Sequence, residues 1–147
     1  MLEDMFKEVY TKFKLHFYRG IFERLHERNS SLSAAESYAV EVIHALNNPT
    51  ISQFAAFLQI SQPNATYKIN ALIKKGYIEK IKSSSDKREY FLKTTVKFLN
   101  YYAINQNYIS VIMQRIHERF TPEETEQLTN MLRIISQELM PESGNEL

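Results

Sequence analysis

Residues 61–76, SQPNATYKINALIKKG, constrain what this chain can fold into more than any other stretch. Set at 100° per residue, Ala65, Ile69, Leu72 and Ile73 fall on one side of a helix, and Pro63, Asn64, Tyr67, Asn70 and Lys74 on the other. Such a helix has one face for a core and one face free. Ser61 is placed to cap it, because a hydroxyl at that position accepts a hydrogen bond from an amide of the first turn. At the far end Lys74 and Lys75 suit the negative end of the helix dipole, and Gly76 suits the left-handed position that closes a helix.

The setting turns one helix into a motif. Residues 51–60 carry Ile51, Phe54, Ala55 and Leu58 at helical spacing, with Ser52 as the expected N-cap. Only residues 59–61 separate the two patterns, the length of connection in a helix-turn-helix. After Gly76 the period changes. Residues 77–82 and 89–93 are rich in β-branched and aromatic side chains and read as two short strands. Ser83, Ser84, Ser85, Asp86, Lys87 and Arg88 form a polar, basic tip between them. Helix, turn, helix, basic hairpin is the order of a winged helix-turn-helix, and Thr50 with Ile51 is expected to add a brief third strand to the hairpin.

Charge is distributed in keeping with this. The whole chain carries +1, yet residues 60–97 hold nine cations and three anions, a net +6 that leaves −5 for the remainder. A basic segment inside an acidic protein is the footprint of a phosphate-binding module, because each neutralised phosphate releases condensed counterions. A solvated surface is the plainer reading of such a run, and its coincidence with the helix-turn-helix pattern favours phosphate.

The flanks are helical. Residues 4–28 repeat Met5, Phe6, Val9, Phe13, Phe17, Ile21 and Leu25 at threes and fours, with Gly20 as the mark of a close crossing and residues 29–32 as a polar break. Residues 33–46 open with Ser33 and Glu36 at capping-box spacing and turn Tyr38, Val42, Ile43 and Leu46 inward, before Asn47, Asn48 and Pro49 end the helix. Residues 96–120 are helical again, Thr121, Pro122 and Glu124 start a last helix to about residue 140, and the tail is expected to fray. These long apolar helices exceed what a small winged domain can bury. A two-fold dimer would cover them, and would place two recognition helices on a pseudo-palindrome with half-sites about 10 base pairs apart or a multiple of that.

Other classes find little support. Without cysteine there is no disulfide or thiol chemistry, and His16, His26, His44 and His117 are too scattered to suggest a metal site. No nucleophile elbow, phosphate loop or metalloprotease helix occurs, and three glycines cannot build a glycine-rich loop, so neither an enzyme nor a cofactor is expected. No run of about 18 apolar residues occurs and the chain opens MLEDMFKEVY, without an apolar signal core. A cytoplasmic protein with no membrane partner is the expectation.

On residues 32–36, Ser61, Ala65, Thr66, residues 72–78 (LIKKGYI) and Asp86-Lys87-Arg88, the sequence resembles the MarR family of bacterial transcriptional regulators. The order of elements matches from about residue 4 to 140, and the tip is one lysine away from the family's usual D-R-R. The resemblance implies a mainly α fold with a small β-hairpin wing. Residues 1–147 would form a single MarR-like domain, 32–98 the winged helix-turn-helix, and 1–31 with 99–147 the dimerisation helices. It further implies a homodimer on double-stranded DNA, a repressor or activator with recognition helices in successive major grooves and wings in the flanking minor groove. On this chain Ser61, Gln62, Pro63, Asn64, Thr66, Tyr67, Lys68 and Lys74 would then face bases or phosphates, together with the tip residues Ser84, Ser85, Asp86, Lys87 and Arg88. Amides at Gln62 and Asn64 suit an adenine edge, hydroxyls at Thr66 and Tyr67 can donate or accept, and Lys68 is a point charge. Lys87 or Arg88 would probe the minor groove, and Asp86 would hold the tip by pairing with an arginine. Phe13, Phe17, Tyr18, Tyr38, Tyr101, Tyr102 and Tyr108 would either line a pocket for a small aromatic or lipophilic effector or simply be core. A winged helix used for protein contact alone is the competing reading, and the absence of salt-dependent retention on DNA would identify it.

Overall fold

A computed structural model describes residues 1–25, 32–86 and 88–140, apart from the side chains at 21, 24, 25 and 101–106. Helices α1 (Leu2–Leu25), α2 (Ala34–Ala45), α3 (Ile51–Leu58) and α4 (Gln62–Lys74) lead into strands β1 (Ile78–Lys82) and β2 (Tyr90–Thr94). Helices α5 (Val96–Arg119) and α6 (Pro122–Ile134) follow, and α6 runs on through a π-wound turn, Ile135–Leu139. The long first helix and the last one lie where the periodicity puts them. Residues 26–31, with most of the expected polar break, and the tail after residue 140 fall outside the described residues, while Leu32, placed in that break, is buried in the core.

Local chemistry sets the boundaries. Ser33 and Glu36 close a capping box on α2, and Thr121 with Glu124 does the same on α6, where Pro122 occupies the first turn. The start of α3 differs from the expectation: Thr50 is the N-cap, its hydroxyl accepting from the Gln53 amide while the Gln53 side chain accepts from the Thr50 amide. Ser52 lies inside the helix. A reciprocal pair at Thr50 satisfies two free amides, and Ser52 has no Glu or Gln three residues on to match it. Helix α3 ends at Gln59, whose φ of 54° and ψ of 45° are left-handed, and this single reversal swings the chain into α4.

The hairpin pairs antiparallel with Ile78 opposite Thr94 and Lys82 opposite Tyr90. Thr50 bridges Phe91, and the Leu92 amide donates to Pro49 O at 2.8 Å, so the third strand is one residue long. Ile51 belongs to α3. Tyr77 precedes the sheet, because its amide closes the end of α4.

The core lies between Leu32 and Phe98. Val40, Ile43, Phe54, Ala65, Ile69, Leu72, Ile78, Leu92 and Phe98 are nearly or wholly shielded, drawn from α2, α3, α4, both strands and the start of α5. Of the expected inner face of α2, Ile43 and Leu46 are buried and Val42 packs against the core, joined by Ser37, Ala39 and Val40, whereas Tyr38 is exposed and packs toward Phe17 of α1 with ring centres 6.2 Å apart. Periodicity gives a spacing but not the neighbour. Outside this core the helices bury little. Gly20 is buried in α1, yet Met5, Phe6, Val9 and Phe22 stay more than half exposed, and no described residue of α6 is buried.

Candidate nucleic-acid interface

Helix α4 presents its polar face outward because its apolar residues are fixed inward. Ala65, Ile69 and Leu72 are fully shielded, while Gln62, Pro63, Asn64, Asn70 and Lys74 are exposed and Tyr67 retains 76% of its surface. Ser61 caps the helix as expected, its Oγ accepting from the Asn64 amide at 3.3 Å. Tyr67 is thus a large ring left in solvent at the centre of a polar face. Thr66 and Lys68 are half-buried. The Thr66 hydroxyl donates back to Gln62 O at 3.0 Å, which leaves it acceptor capacity only. Beside Tyr67 and Lys68 a cleft of about 190 Å³ separates α4 from the first turn of α2, with Ser33, Ala35 and Glu36 on its other wall.

At the hairpin tip the polar side chains organise the loop itself. Ser83 is buried, and its Oγ accepts from the amides of Ser85 and Asp86, both at 3.3 Å. Asp86 Oδ1 accepts from the Arg88 backbone amide at 2.9 Å. The expected pairing of Asp86 with an arginine is thus made through the main chain, and among the described residues no ion pair joins Asp86 to a guanidinium. A short side chain that bonds an amide two residues on shapes a turn at little entropic cost. The Arg88 side chain is left exposed, as are Ser84, Ser85 and Asp86. Lys87 lies outside the described residues.

The cations of this segment divide in two. Lys74, Lys80, Lys82, Arg88 and Lys93 are exposed. Lys75 and Lys97 are turned to internal work: Lys75 Nζ meets the Glu36 carboxylate at 2.7 Å, and Lys97 Nζ donates to Lys75 O at 2.8 Å. Burial alone would raise the Glu36 carboxyl, but hydrogen bonds from Lys75 and Ser33 outweigh it and hold the group below the usual carboxylate value. The distant partners of Glu36, Thr95 and Lys97 were not legible in the sequence, because contacts 39, 19 and 22 residues apart leave no spacing to detect.

Of the aromatic group, Tyr108 of α5 meets Phe13 edge-on at 5.5 Å and stacks on His16 at 3.7 Å, while Phe17 touches Tyr18 and Tyr38. The side chains of Tyr101 and Tyr102, and all of His26, lie outside the described residues. Among those described, no three histidine or acidic side chains gather as a metal would require, and no helix is long and apolar enough to cross a membrane.

Residues 32–90 match the model of the MarR family. No curated protein matches the chain. Among solved structures it is similar to Streptococcus pneumoniae FabT in complex with DNA, at 22% identity and TM-score 0.59, covering 95% of this chain and 97% of that one. A mutant MepR from multidrug-resistant S. aureus is similar at 15% identity and TM-score 0.66, over 95% and 98% of the two chains. A mutant MarR from E. coli complexed with operator DNA is similar at 17% identity and TM-score 0.52, over 91% and 92%. At these identities the likeness establishes a winged helix fold shared along nearly the whole chain.

Proposed function

From the match of residues 32–90 to the model of the MarR family, we propose that the chain is a cytoplasmic DNA-binding transcriptional regulator of that family, acting as a homodimer on a pseudo-palindromic operator. The observation that carries this reading is the outward polar face of α4, with Tyr67 in solvent, held on a fully shielded core beside a hairpin that exposes Lys80, Lys82, Arg88 and Lys93. Two of the similar structures are themselves complexes with DNA, which supports the same use here. Gln62, Asn64 and Tyr67 read base edges, Ser61, Thr66, Lys68 and Lys74 engage the backbone, and Ser84, Ser85, Lys87 and Arg88 work in the flanking minor groove while Asp86 shapes the tip.

Dimerisation is supported by what the protomer leaves uncovered. Apolar side chains of α1, α5 and α6 remain in solvent, and a groove of about 520 Å³ between α5 and α6 is lined by His117, Phe120, Thr129 and Arg133 among others. The cluster of Phe13, His16, Phe17, Tyr38 and Tyr108 joins α1, α2 and α5, and an aromatic or lipophilic effector seated there would act by preferring one spacing of the two reading heads.

Selection from random duplexes, followed by titration of the selected site against mixed-sequence DNA at several salt concentrations, tests the reading. Arg88→Ala and Lys87→Ala are expected to weaken binding on every sequence and each lower the salt slope by about one. Asn64→Ala and Tyr67→Ala are expected to cost about 1–3 kcal/mol on the selected site and little on mixed DNA. Uniform loss for all four variants would overturn the division of labour, and retention insensitive to salt would identify a protein-binding module instead.

A further inference from the structure

Three consecutive backbone carbonyls close the C-terminal end of α4, and all three accept hydrogen bonds from the first residues of α5. Lys97 Nζ donates to Lys75 O at 2.8 Å, the Thr95 hydroxyl to Gly76 O at 2.6 Å, and the Thr95 amide to Tyr77 O at 3.0 Å. The Lys97 stem lies across the turn. Its Cδ is 3.8 Å from where a Cβ on Gly76 would stand, and its ammonium is 4.5 Å from the centre of the buried Tyr77 ring. The turn beneath is itself tightly made: Gly76 sits at φ +83°, its amide donates to Ile73 O, and the Tyr77 amide donates to Leu72 O, the paired bonds of a Schellman motif.

Thr95 shows what this arrangement displaces. It is the N-cap of α5, a position at which threonine ordinarily accepts from a first-turn amide, yet it makes no such bond. Its hydroxyl is turned back onto α4 instead. The α5 N-terminus thus leaves its own helix uncapped and holds the end of the neighbouring one. From the third element Glu36 adds an ion pair to Lys75, so the same turn is gripped from α2 as well.

We propose that Thr95 and Lys97 are positioning residues that lock the last turn of α4 to the start of α5, so that the reading helix is aimed by the helix that runs unbroken to Arg119. The consequence for DNA rests on the function proposed above; the lock itself does not. Because α5 also carries Tyr108, which packs on Phe13 and His16 of α1, a shift of the outer helices reaches α4 as a rigid rotation rather than being absorbed in a loose turn.

The test uses the full chain with Thr95→Val and Lys97→Met combined, changes that keep the side-chain volume and remove the two donors. Amide hydrogen exchange at residues 72–77 is expected to quicken about tenfold, the loss of two partly exposed hydrogen bonds, while α2 keeps its protection. On the duplex selected by the wild-type protein, preference over mixed-sequence DNA is expected to fall about tenfold with the salt slope unchanged, since no phosphate contact has gone. Lys97→Arg, which retains a donor on a long stem, should restore most of the preference lost in Lys97→Met. Unchanged exchange at residues 72–77 would overturn the lock. A salt slope lowered by about one, with preference intact, would make Lys97 an ordinary phosphate contact and overturn the positioning role. Absence of salt-dependent binding by the wild-type protein would remove the DNA reading alone, with exchange still deciding the lock.

Discussion

Glu36 serves two helices with one carboxylate. Its Oε1 accepts from the Ser33 amide to close the capping box of α2, and Lys75 reaches the same group from the end of α4. Glu36→Gln separates these roles, because glutamine keeps the capping bond and loses the ion pair. A part-buried pair still reached by solvent should contribute roughly 0.5–1 kcal/mol at neutral pH. The folded carboxyl titrates below its usual 4.5, so the stabilisation is complete above that value and disappears as pH falls through the folded pKa. Denaturant midpoints of wild type and Glu36→Gln should therefore differ at neutral pH, begin to approach each other below 4.5, and converge once the pH lies below the folded pKa. A gap that persists in acid would mean that the charge is not what Glu36 contributes. Tyr67 is the contrasting residue: its exposure followed directly from its place on the helical wheel, with no knowledge of any neighbour.

Between elements, the signals that were legible are local ones. Ser61, Ser33 with Glu36, Thr121 with Pro122 and Glu124, and Gly76 all sit where short-range hydrogen bonding puts them. The cap of α3 was equally present in the sequence as Thr50 and Gln53, at capping-box spacing, and Ser52 obscured it. Thr50 also lies 7% exposed against Phe91 of the hairpin. Thr50→Ala is accordingly expected to cost about 1–2 kcal/mol by urea denaturation, and Ser52→Ala under about 0.5 kcal/mol. Equal effects would return the cap to Ser52. The orientation of Tyr38, the main-chain partner of Asp86 and the grip on residues 75–77 were not legible. Each depends on which element packs beside which, and a period of 3.6 residues is silent on that.

For the whole molecule, the uneven distribution of burial is the dominant fact. Among the described residues the shielded side chains run from Leu32 to Phe98, and those of the terminal helices contribute apolar surface without closing a core of their own. Phe6→Glu combined with Val9→Glu places two charges on the exposed stripe of α1 and, for the homodimer proposed above, is expected to halve the mass seen by light scattering. The near-UV signal from tyrosines of the winged segment should survive, because its core includes neither residue. A wild-type mass of one chain would overturn the dimer, and an unchanged mass of two chains would place the interface elsewhere. If the exposed faces of α1, α5 and α6 pair two chains as proposed above, abundance becomes part of the switch. When pairs form only by encounter, halving the number of chains in a dilute cell leaves about a quarter of the pairs, so occupancy of the proposed operator would track the square of supply. Growth and division alone would then loosen control before any small molecule arrived.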